Sequence, residues 1–464
     1  MSEPFELTAG ELLAAYRAFE LSPVEVVADL GARIEAMNPR LNAFETLTLE
    51  RAASDAKQAE AAWRDGNARP LEGVPFGVKD LFDTAGVRTT YGSPMFDDHV
   101  PAQDADAVAR IVGAGGILIG KTSTDEFAYG IAGVNPHYGA VRNPWDEERV
   151  SGGSSSGSGA ALAARLVPLT LGSDTGGSIR SPASYCGVVG LKGTWGAIST
   201  AGAWAMGRSI DHAGPMARTA ADAALLHGVI VEGSVGRAIA ASLAGGLAPA
   251  AAGTRVGICS DLEPLDLAPD VQRVLDAAHA TLAGAGCVLV EVRFPEAELV
   301  RSTFTTIRDA ETLWTHRAAG LFPQRRAEYS EQTYDRLAAA LPVGLDEYLA
   351  ASAVRQRLDE AFDLLFGDVD VLLMPVAGAT PPRISADADM EAWNHVGAYT
   401  VPADLLGVPA CAFRAGFDDL GLPVGLQVMG RKLADATVLR VVQLYAEATP
   451  ELQARWPDAA ITES

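Results

Sequence analysis

Residues 167–192 have the sequence VPLTLGSDTGGSIRSPASYCGVVGLK, in which a serine- and glycine-rich segment lies between two apolar segments. The flanking VPLTLG (167–172) and CGVVGLK (186–192) have the composition of buried strands. Long Ser/Gly runs usually form linkers, but a flexible linker would not separate two buried strands. Glycine here allows the backbone to approach a ligand closely or to present successive N–H groups to it. A second run, GGSSSG at 152–157, lies one predicted strand upstream.

Strand-like and helix-like patterns alternate on both sides of this segment. This alternation predicts a single α/β domain with a large mixed, mostly parallel central sheet and helices on both faces. Within the single domain of residues 1–464, we expect N-terminal helices at 1–65, a catalytic core at 70–230 and a helical cap at 300–365. The further apolar runs that predict strands lie at 74–79, 117–121, 255–258, 287–292, 370–375 and 423–430.

Charge and cysteine usage exclude several classes of protein. The formal net charge of −23 disfavours broad contacts with phosphate backbones or anionic membranes, which need basic patches. We therefore expect neither a nucleic-acid partner nor a membrane partner. The cysteines form no CxxC pair, and the chain begins without a basic and apolar signal sequence, so we expect reduced thiols and a cytoplasmic location. The cysteines are Cys186, Cys259, Cys287 and Cys411.

Lysine is a better candidate than histidine for a catalytic base in this chain. None of the seven histidines lies in a catalytic motif, and the absence of HxxxH and HExxH argues against a zinc site. Lys79 ends the apolar segment VPFGVK (74–79), where burial would lower its pKa and favour a neutral amine. Taken alone, a lysine at a strand end more often extends its amine to water.

Two short motifs offer alternative nucleophiles. Gly153–Gly157 matches the G-x-S-x-G elbow of α/β-hydrolases, with Ser155 at its centre. An elbow should follow a strand, whereas the preceding RNPWDEERV (142–150) is charged and loop-like. Ser54–Lys57 matches S-x-x-K, but it lies on a predicted charged helix. Both motifs are therefore weaker candidates than the two serine–glycine runs taken together with Lys79.

Six stretches of the chain together resemble the amidase signature family in order and spacing. The spacing includes the 24 residues from Ser154 to Ser178. The stretches are GVPFGVKD (73–80), DEFAYG (125–130), RNPWDEERVSGGSSSGSGAALAA (142–164), PLTLGSDTGGSIRSPASYCGVVGLKGTWG (168–196), DHAGPMAR (211–218) and GLPVGLQVMG (421–430).

The resemblance implies a Ser–cis-Ser–Lys triad. Ser178 matches the nucleophile, Ser154 the bridging serine that follows a cis peptide, and Lys79 the base. Ser155 matches a serine that supports this network. The backbone N–H groups that match the oxyanion hole belong to Thr175, Gly176, Gly177 and Ser178.

Other positions bear on the loop and on the substrate. Asp174 and Arg180 match a pair that braces the nucleophile loop. The chain departs from many members at Ser156, where they have glycine, and at Gly193, where they have proline. Either departure could reshape the pocket. Segments that line the acyl site in relatives contribute the pocket candidates Tyr129, Ile131, Trp204 and Met206.

The resemblance predicts an amidohydrolase of small or aryl amides, extending to carbamates or esters, that works without a cofactor. An aromatic and apolar pocket favours an uncharged or aryl acyl group. Two alternatives stay open: the amidotransferase component that acts on glutamyl-tRNA(Gln), known as its A chain, and a ureide hydrolase of the allophanate or biuret type. The acidic charge and the lack of a tyrosine-rich segment at 300–350 favour a free-standing enzyme over the amidotransferase. The expected partner is a small-molecule amide, and a homodimer stays open.

Overall fold

The computed structural model describes residues 3–243, 246–259 and 267–457. Within these ranges the strands are β1 Phe44–Leu47, β2 Pro75–Lys79, β3 Ile117–Thr122, β4 Val134–Asn135, β5 Gly139–Ala140, β6 Arg142–Asn143, β7 Asp146–Val150, β8 Leu169–Asp174, β9 Val189–Lys192, β10 His212–Ala217, β11 Arg255–Cys259, β12 Val288–Val292, β13 Val371–Pro375, β14 Ala410–Phe417 and β15 Pro423–Gly430. The α-helices are α1 Ala9–Ala18, α2 Pro23–Leu41, α3 Leu49–Arg64, α4 Asp106–Gly113, α5 Ser156–Ala163, α6 Arg180–Cys186, α7 Ala220–Ile230, α8 Gly233–Leu243, α9 Pro269–Gly284, α10 Ala297–Ala318, α11 Glu331–Ala339, α12 Leu345–Asp368, α13 Ala388–Leu406, α14 Asp435–Ala448 and α15 Pro450–Gln453.

Eleven of these strands form one central sheet, which confirms the predicted α/β fold. Its strand order is β1-β3-β2-β8-β10-β9-β14-β15-β13-β11-β12, and β4–β5 and β6–β7 form two small ribbons. The sheet is mixed, as predicted, but six of the ten pairings among the described strands are antiparallel rather than mostly parallel.

Two connections account for the extra antiparallel pairings. β9 leads to β10 through residues 193–211, which contain no helix, so the chain returns along its neighbour instead of crossing over. β14 and β15 form a hairpin. A parallel pair needs a crossover connection, usually a helix, whereas an antiparallel pair needs only a turn or loop. Strand composition alone does not distinguish the two directions.

Alternating side chains of the sheet pack against helices on both faces. In β14, Cys411 and Phe413 belong to the core that includes residues of α7, α9 and α14. Ala412, between them in the sequence, belongs to a separate core with Ala183 of α6 and Leu162 of α5. This alternation is the period-two pattern of a strand that is buried on both sides.

The two regions predicted to be helical contain the expected helices. α1 and α2 begin at capping boxes, in which Thr8 and Ser22 accept backbone hydrogen bonds from Glu11 and Glu25. The N-terminal region also contains β1, which pairs antiparallel with β3. The segment 300–365 contains most of α10, all of α11 and most of α12. In the described parts of the chain, no helix has both the length and the apolar character needed to cross a membrane.

The fold brings the two serine–glycine runs to one edge of the sheet. β2 and β8 are parallel neighbours, so their carboxyl ends, at Lys79 and Asp174, lie on the same edge. The loop before α5 carries GGSSSG, and the loop between β8 and α6 carries the second run. Ligand sites of α/β sheets commonly lie at the carboxyl ends of parallel strands.

Candidate active site

Lys79 lies at the centre of the site. It is the last residue of β2 and is fully buried. Its Nζ donates hydrogen bonds to Ser154 Oγ at 2.7 Å and to Ser173 Oγ at 2.8 Å. Burial lowers the pKa of Lys79 to about 7, and the nearby carboxylates only partly offset this effect. A substantial fraction of the amine is therefore neutral near pH 7. The carboxylates in question belong to Asp125, Asp174 and Asp211.

Ser155 connects the two serine–glycine loops. Its backbone N–H donates to Ser178 O at 3.1 Å, and its hydroxyl donates to Ser173 O at 3.1 Å. The neighbouring Ser154 is fully buried and follows a cis peptide bond after Gly153. Lys79, Ser154 and the backbone of Ser178 thus lie in one continuous hydrogen-bonded unit.

Asp174 shapes the turn that carries Ser178. Its carboxylate accepts the backbone N–H groups of Gly177 at 2.6 Å, Ile179 at 3.1 Å and Arg180 at 3.3 Å. Gly177 has a φ of +123°, a conformation that favours glycine. The prediction that four amides form the oxyanion hole therefore needs a correction, because the Gly177 amide is already bonded to Asp174. Three candidate donors remain, the amides of Thr175, Gly176 and Ser178.

Asp174 and Arg180 form a buried ion pair, and a second carboxylate joins them. Arg180 is fully buried, with Nε 3.0 Å from Asp174 Oδ2 and Nη2 2.6 Å from Asp404 Oδ2. Its Nη1 donates to Thr400 O and Gln427 Oε1. Burial alone would raise the pKa of Asp174, but the Arg180 guanidinium holds it well below its usual range. Asp404, on α13, has no local motif that identifies it in the sequence.

A cavity of about 180 Å³ opens beside the nucleophile loop. Three of the four predicted pocket residues line it together with Ser178. Trp204 does not. It packs instead in an aromatic cluster, 4.8 Å from the Phe127 ring centroid, and borders two neighbouring cavities. The cavity is lined by Ala128, Tyr129, Gly130, Ile131, Gly176, Ser178, Met206, Phe304, Arg308, Arg336, Asp389 and Trp393.

The far wall of the cavity comes from α10, α11 and α13 and carries charge that the sequence analysis missed. Arg336 donates to Tyr129 O and forms an ion pair with Asp389. Asp389 Oδ1 also accepts the backbone N–H of Ile131 at 2.6 Å. Arg308 is the second cation. The predicted apolar and aromatic pocket is therefore only part of the lining, and no spacing signal in the sequence joins these helices to the nucleophile.

Asp125 is another buried group that sequence analysis did not single out. A Cβ atom placed on Gly153 would lie 2.3 Å from Asp125 Oδ2, so this carboxylate packs directly against the loop that carries Ser154. Oδ2 has no hydrogen-bond partner among the residues that the structure describes. Burial raises the pKa of Asp125 to about 7, with a further contribution from Asp389 and an opposing one from Lys79.

The alternative nucleophiles are poorly placed. The segment before the G-x-S-x-G motif is partly a strand, contrary to prediction, but β7 belongs to the β6–β7 ribbon and not to the central sheet. Ser155 is fully buried, and Ser54 lies exposed on α3. Within the described ranges, no group of three or more His, Cys, Asp or Glu side chains could hold a metal ion.

The two departures from the family pattern lie away from the cavity lining. Ser156 Oγ donates to Ser123 O at 3.1 Å at the start of α5. A Cβ atom at Gly193 would lie 2.9 Å from His227 Cε1 and 3.0 Å from Asp435 Oδ1, which leaves little room for a larger residue. Neither Ser156 nor Gly193 borders the 180 Å³ cavity.

Comparisons with known proteins agree with this geometry. The family model described as Amidase matches residues 25–439. The A chain of glutamyl-tRNA(Gln) amidotransferase from Geobacter metallireducens is 36% identical over 476 residues, covering 96% of this chain and 98% of that protein. A crystal structure of an amidase is 31% identical with a TM-score of 0.86, covering 95% of this chain and 99% of the other. An inhibitor-bound s-triazine catabolic enzyme, described with a vestigial protein complex, is 30% identical with a TM-score of 0.85, covering 97% and 100% of the two chains.

Proposed function

The chain belongs to the amidase family of enzymes that act on carbon–nitrogen bonds, and we propose that it hydrolyses an amide through an acyl-enzyme on Ser178. One observation carries the proposal. The buried amine of Lys79 bonds to Ser154 Oγ at 2.7 Å, beside a cavity that Ser178 lines. A nucleophilic serine needs a base within hydrogen-bond reach, directly or through a relay. The burial of Lys79 supports a neutral amine, because an ammonium has donors only and accepts no proton.

In the proposed reaction the two serines and the lysine pass one proton in each direction. Ser154 transfers its hydroxyl proton to Lys79 and takes the proton of Ser178, whose Oγ attacks the carbonyl carbon. The C–N bond then breaks, and the proton returns along the same path to the departing nitrogen. Water attacks the acyl-enzyme in the same way and releases the acid together with free Ser178. The amides of Thr175, Gly176 and Ser178 would stabilise the oxyanion.

For the substrate, we propose the role of the glutaminase component of an amidotransferase, with glutamine as the amide donor. The Geobacter metallireducens amidotransferase chain matches 96% of this chain at 36% identity, which favours this role over the free-standing amidase predicted from the sequence. The small cavity supports this choice, because it contains Arg308, Arg336 and Asp389 next to the nucleophile. These charges suit a small polar amide better than an aryl group. The partners proposed here are further protein chains of the same complex.

Purification of the tagged chain from the cells that encode it tests this role. We expect further proteins of the complex to copurify, and ammonia release from glutamine to be faster with them than with the chain alone. A Ser178→Ala chain should copurify with the same proteins and release no ammonia. A chain that purifies alone, does not hydrolyse glutamine and hydrolyses other amides at full rate would contradict the amidotransferase role.

A free-standing amidase is the second candidate, favoured by the aromatic part of the cavity. Tyr129, Phe304 and Trp393 line it, and the net charge of −23 disfavours a complex that contains tRNA. The purified chain should then hydrolyse aryl amides, carbamates or ureides without partners. A panel with one aryl amide, one carbamate, one ureide and glutamine separates the candidates by which substrate the Ser178→Ala variant ceases to hydrolyse.

A further inference from the structure

We propose that Arg308 is a specificity-determining residue that selects amides whose acyl part carries a carboxylate. The inference rests on the proposed function of Ser178 and adds a substrate class to it. Arg308 lines the same cavity as Ser178 and comes from the middle of α10, which the sequence analysis assigned only to a helical cap.

Arg308 lies one helical turn from the nucleophile loop. Phe304, four residues earlier on α10, packs against that loop, since a Cβ atom on Gly176 would lie 3.0 Å from Phe304 Cζ. Residues four apart on a helix are about 5–6 Å from each other. The guanidinium is therefore separated from the nucleophile loop by the length of a short acyl chain. A carboxylate two to three carbons from the scissile carbonyl would reach it.

Aromatic rings surround the guanidinium and exclude much of the water. Arg308 Cζ lies 5.7 Å from the ring centroids of Tyr129, Phe304 and Trp393. Only 18% of its side chain is exposed. Cation–π contacts hold the guanidinium in place, and a low local dielectric strengthens its attraction to an anion. The same rings can pack against the carbon chain of the substrate.

Part of the guanidinium stays available for a ligand. Nε and Nη2 donate to Asp309 Oδ1 at 2.9 and 2.6 Å. Within the described ranges, Nη1 donates to no carboxylate and to no backbone carbonyl. Arg336 differs, because its Nη1 and Nη2 donate to Tyr129 O and Asp389 Oδ2. Of the two arginines in the cavity, Arg308 is therefore the one that can donate to an incoming carboxylate.

The substrate class follows from reach and charge together. Monoamides of short dicarboxylic acids fit, and so does glutamine, whose acyl part carries a carboxylate. Neutral diamides of the same length lack the anion, so the enzyme should discriminate between two molecules of nearly equal shape. If Arg308 and Asp309 only brace α10, the charge of the substrate would make no difference.

The first test measures binding of glutarate by calorimetry, which does not depend on turnover. Arg308→Met should weaken glutarate binding on the order of 10- to 100-fold, the range for one charged hydrogen-bonded contact. Arg308→Lys should recover part of the affinity, since it keeps the charge. Arg317→Met, which replaces an exposed arginine on the same helix, is the matched control and should bind as the wild type does. Equal affinity of wild type and Arg308→Met at equal melting temperature would overturn the proposal.

The second test needs no variant of Arg308. The ratio of kcat/KM for succinamate to that for succinamide should exceed 1 in the wild type, and a preference for succinamide would overturn the proposal. Failure of the proposed function appears separately: Ser178→Ala should abolish hydrolysis but leave glutarate binding intact. Hydrolysis that survives in Ser178→Ala would contradict the nucleophile, while glutarate binding would still decide the role of Arg308.

Discussion

Replacement of Lys79 by methionine should stabilise the protein at neutral pH and destabilise it at alkaline pH. Burial lowers the pKa of Lys79 in the folded protein from 10.5 to about 7. The unfolded chain keeps this proton up to the ordinary pKa of lysine. Between about pH 7 and 10.5 the unfolded state therefore binds one more proton, and the wild type gains stability as the pH rises.

The magnitude follows from this interval and from the bonds that Lys79 makes. An interval of roughly 3.5 pH units corresponds to about 5 kcal/mol of lost stability at pH 7. Methionine removes that loss, but Ser154 and Ser173 lose their bonds to Nζ, at about 1 kcal/mol each. Lys79→Met should thus be about 3 kcal/mol more stable at pH 7. The advantage should fall by about 1.4 kcal/mol per pH unit and reverse near roughly pH 9.

Urea unfolding at pH 7, 8, 9 and 10 measures the difference between variant and wild type. Lys57→Met is the control, because Lys57 is exposed on α3 and its replacement should change stability by an amount that does not vary with pH. A pH-independent difference for Lys79→Met would show that the buried amine keeps its proton in the folded protein. Lys79 could then not act as the base.

Three further predictions concern the same site. Lys79→Met should impair amide hydrolysis more than hydrolysis of a matched nitrophenyl ester, because an amine needs a proton to leave; equal losses in kcat/KM would remove Lys79 from the acid–base role. Wild-type kcat/KM should fall below about pH 7 as Lys79 (pKa about 7) is protonated. Asp125→Asn should move that fall to lower pH, because the Asp125 carboxylate raises the pKa of Lys79, and an unchanged profile would contradict this coupling. Asp174→Ala should lower stability by about 3–5 kcal/mol and reduce activity, since it removes a buried partner of Arg180; an unchanged melting temperature would contradict a stabilising role.

The parts of the site that can be predicted from the sequence depend on local motifs at strand ends. Lys79 ends an apolar run, and the two serine–glycine segments flank a strand, so parallel pairing brings them together at one edge of the sheet. The direction of β10 and of β15 is not predictable in this way, because composition indicates burial and not direction. A helix-free connection can be recognised only after β9 and β10 are both located.

The opposite wall of the cavity cannot be predicted, for a different reason. Arg308 and Asp389 lie on helices whose packing on the nucleophile loop depends on the whole core, and neither residue belongs to a recognisable motif. Asp404 likewise meets Arg180 only in the folded chain. Trp204 shows the converse error. Its segment predicts a residue of the pocket, but the ring packs into the aromatic cluster around Phe127.

The most direct test of the central claim is the position of a covalent label. A fluorophosphonate should react with one serine of the folded protein, and mass spectrometry of the digested product should locate it on Ser178. Ser178→Ala should keep the wild-type melting temperature and take up no label. A label on Ser154 or Ser155 in the wild type, or undiminished labelling of Ser178→Ala, would contradict Ser178 as the nucleophile.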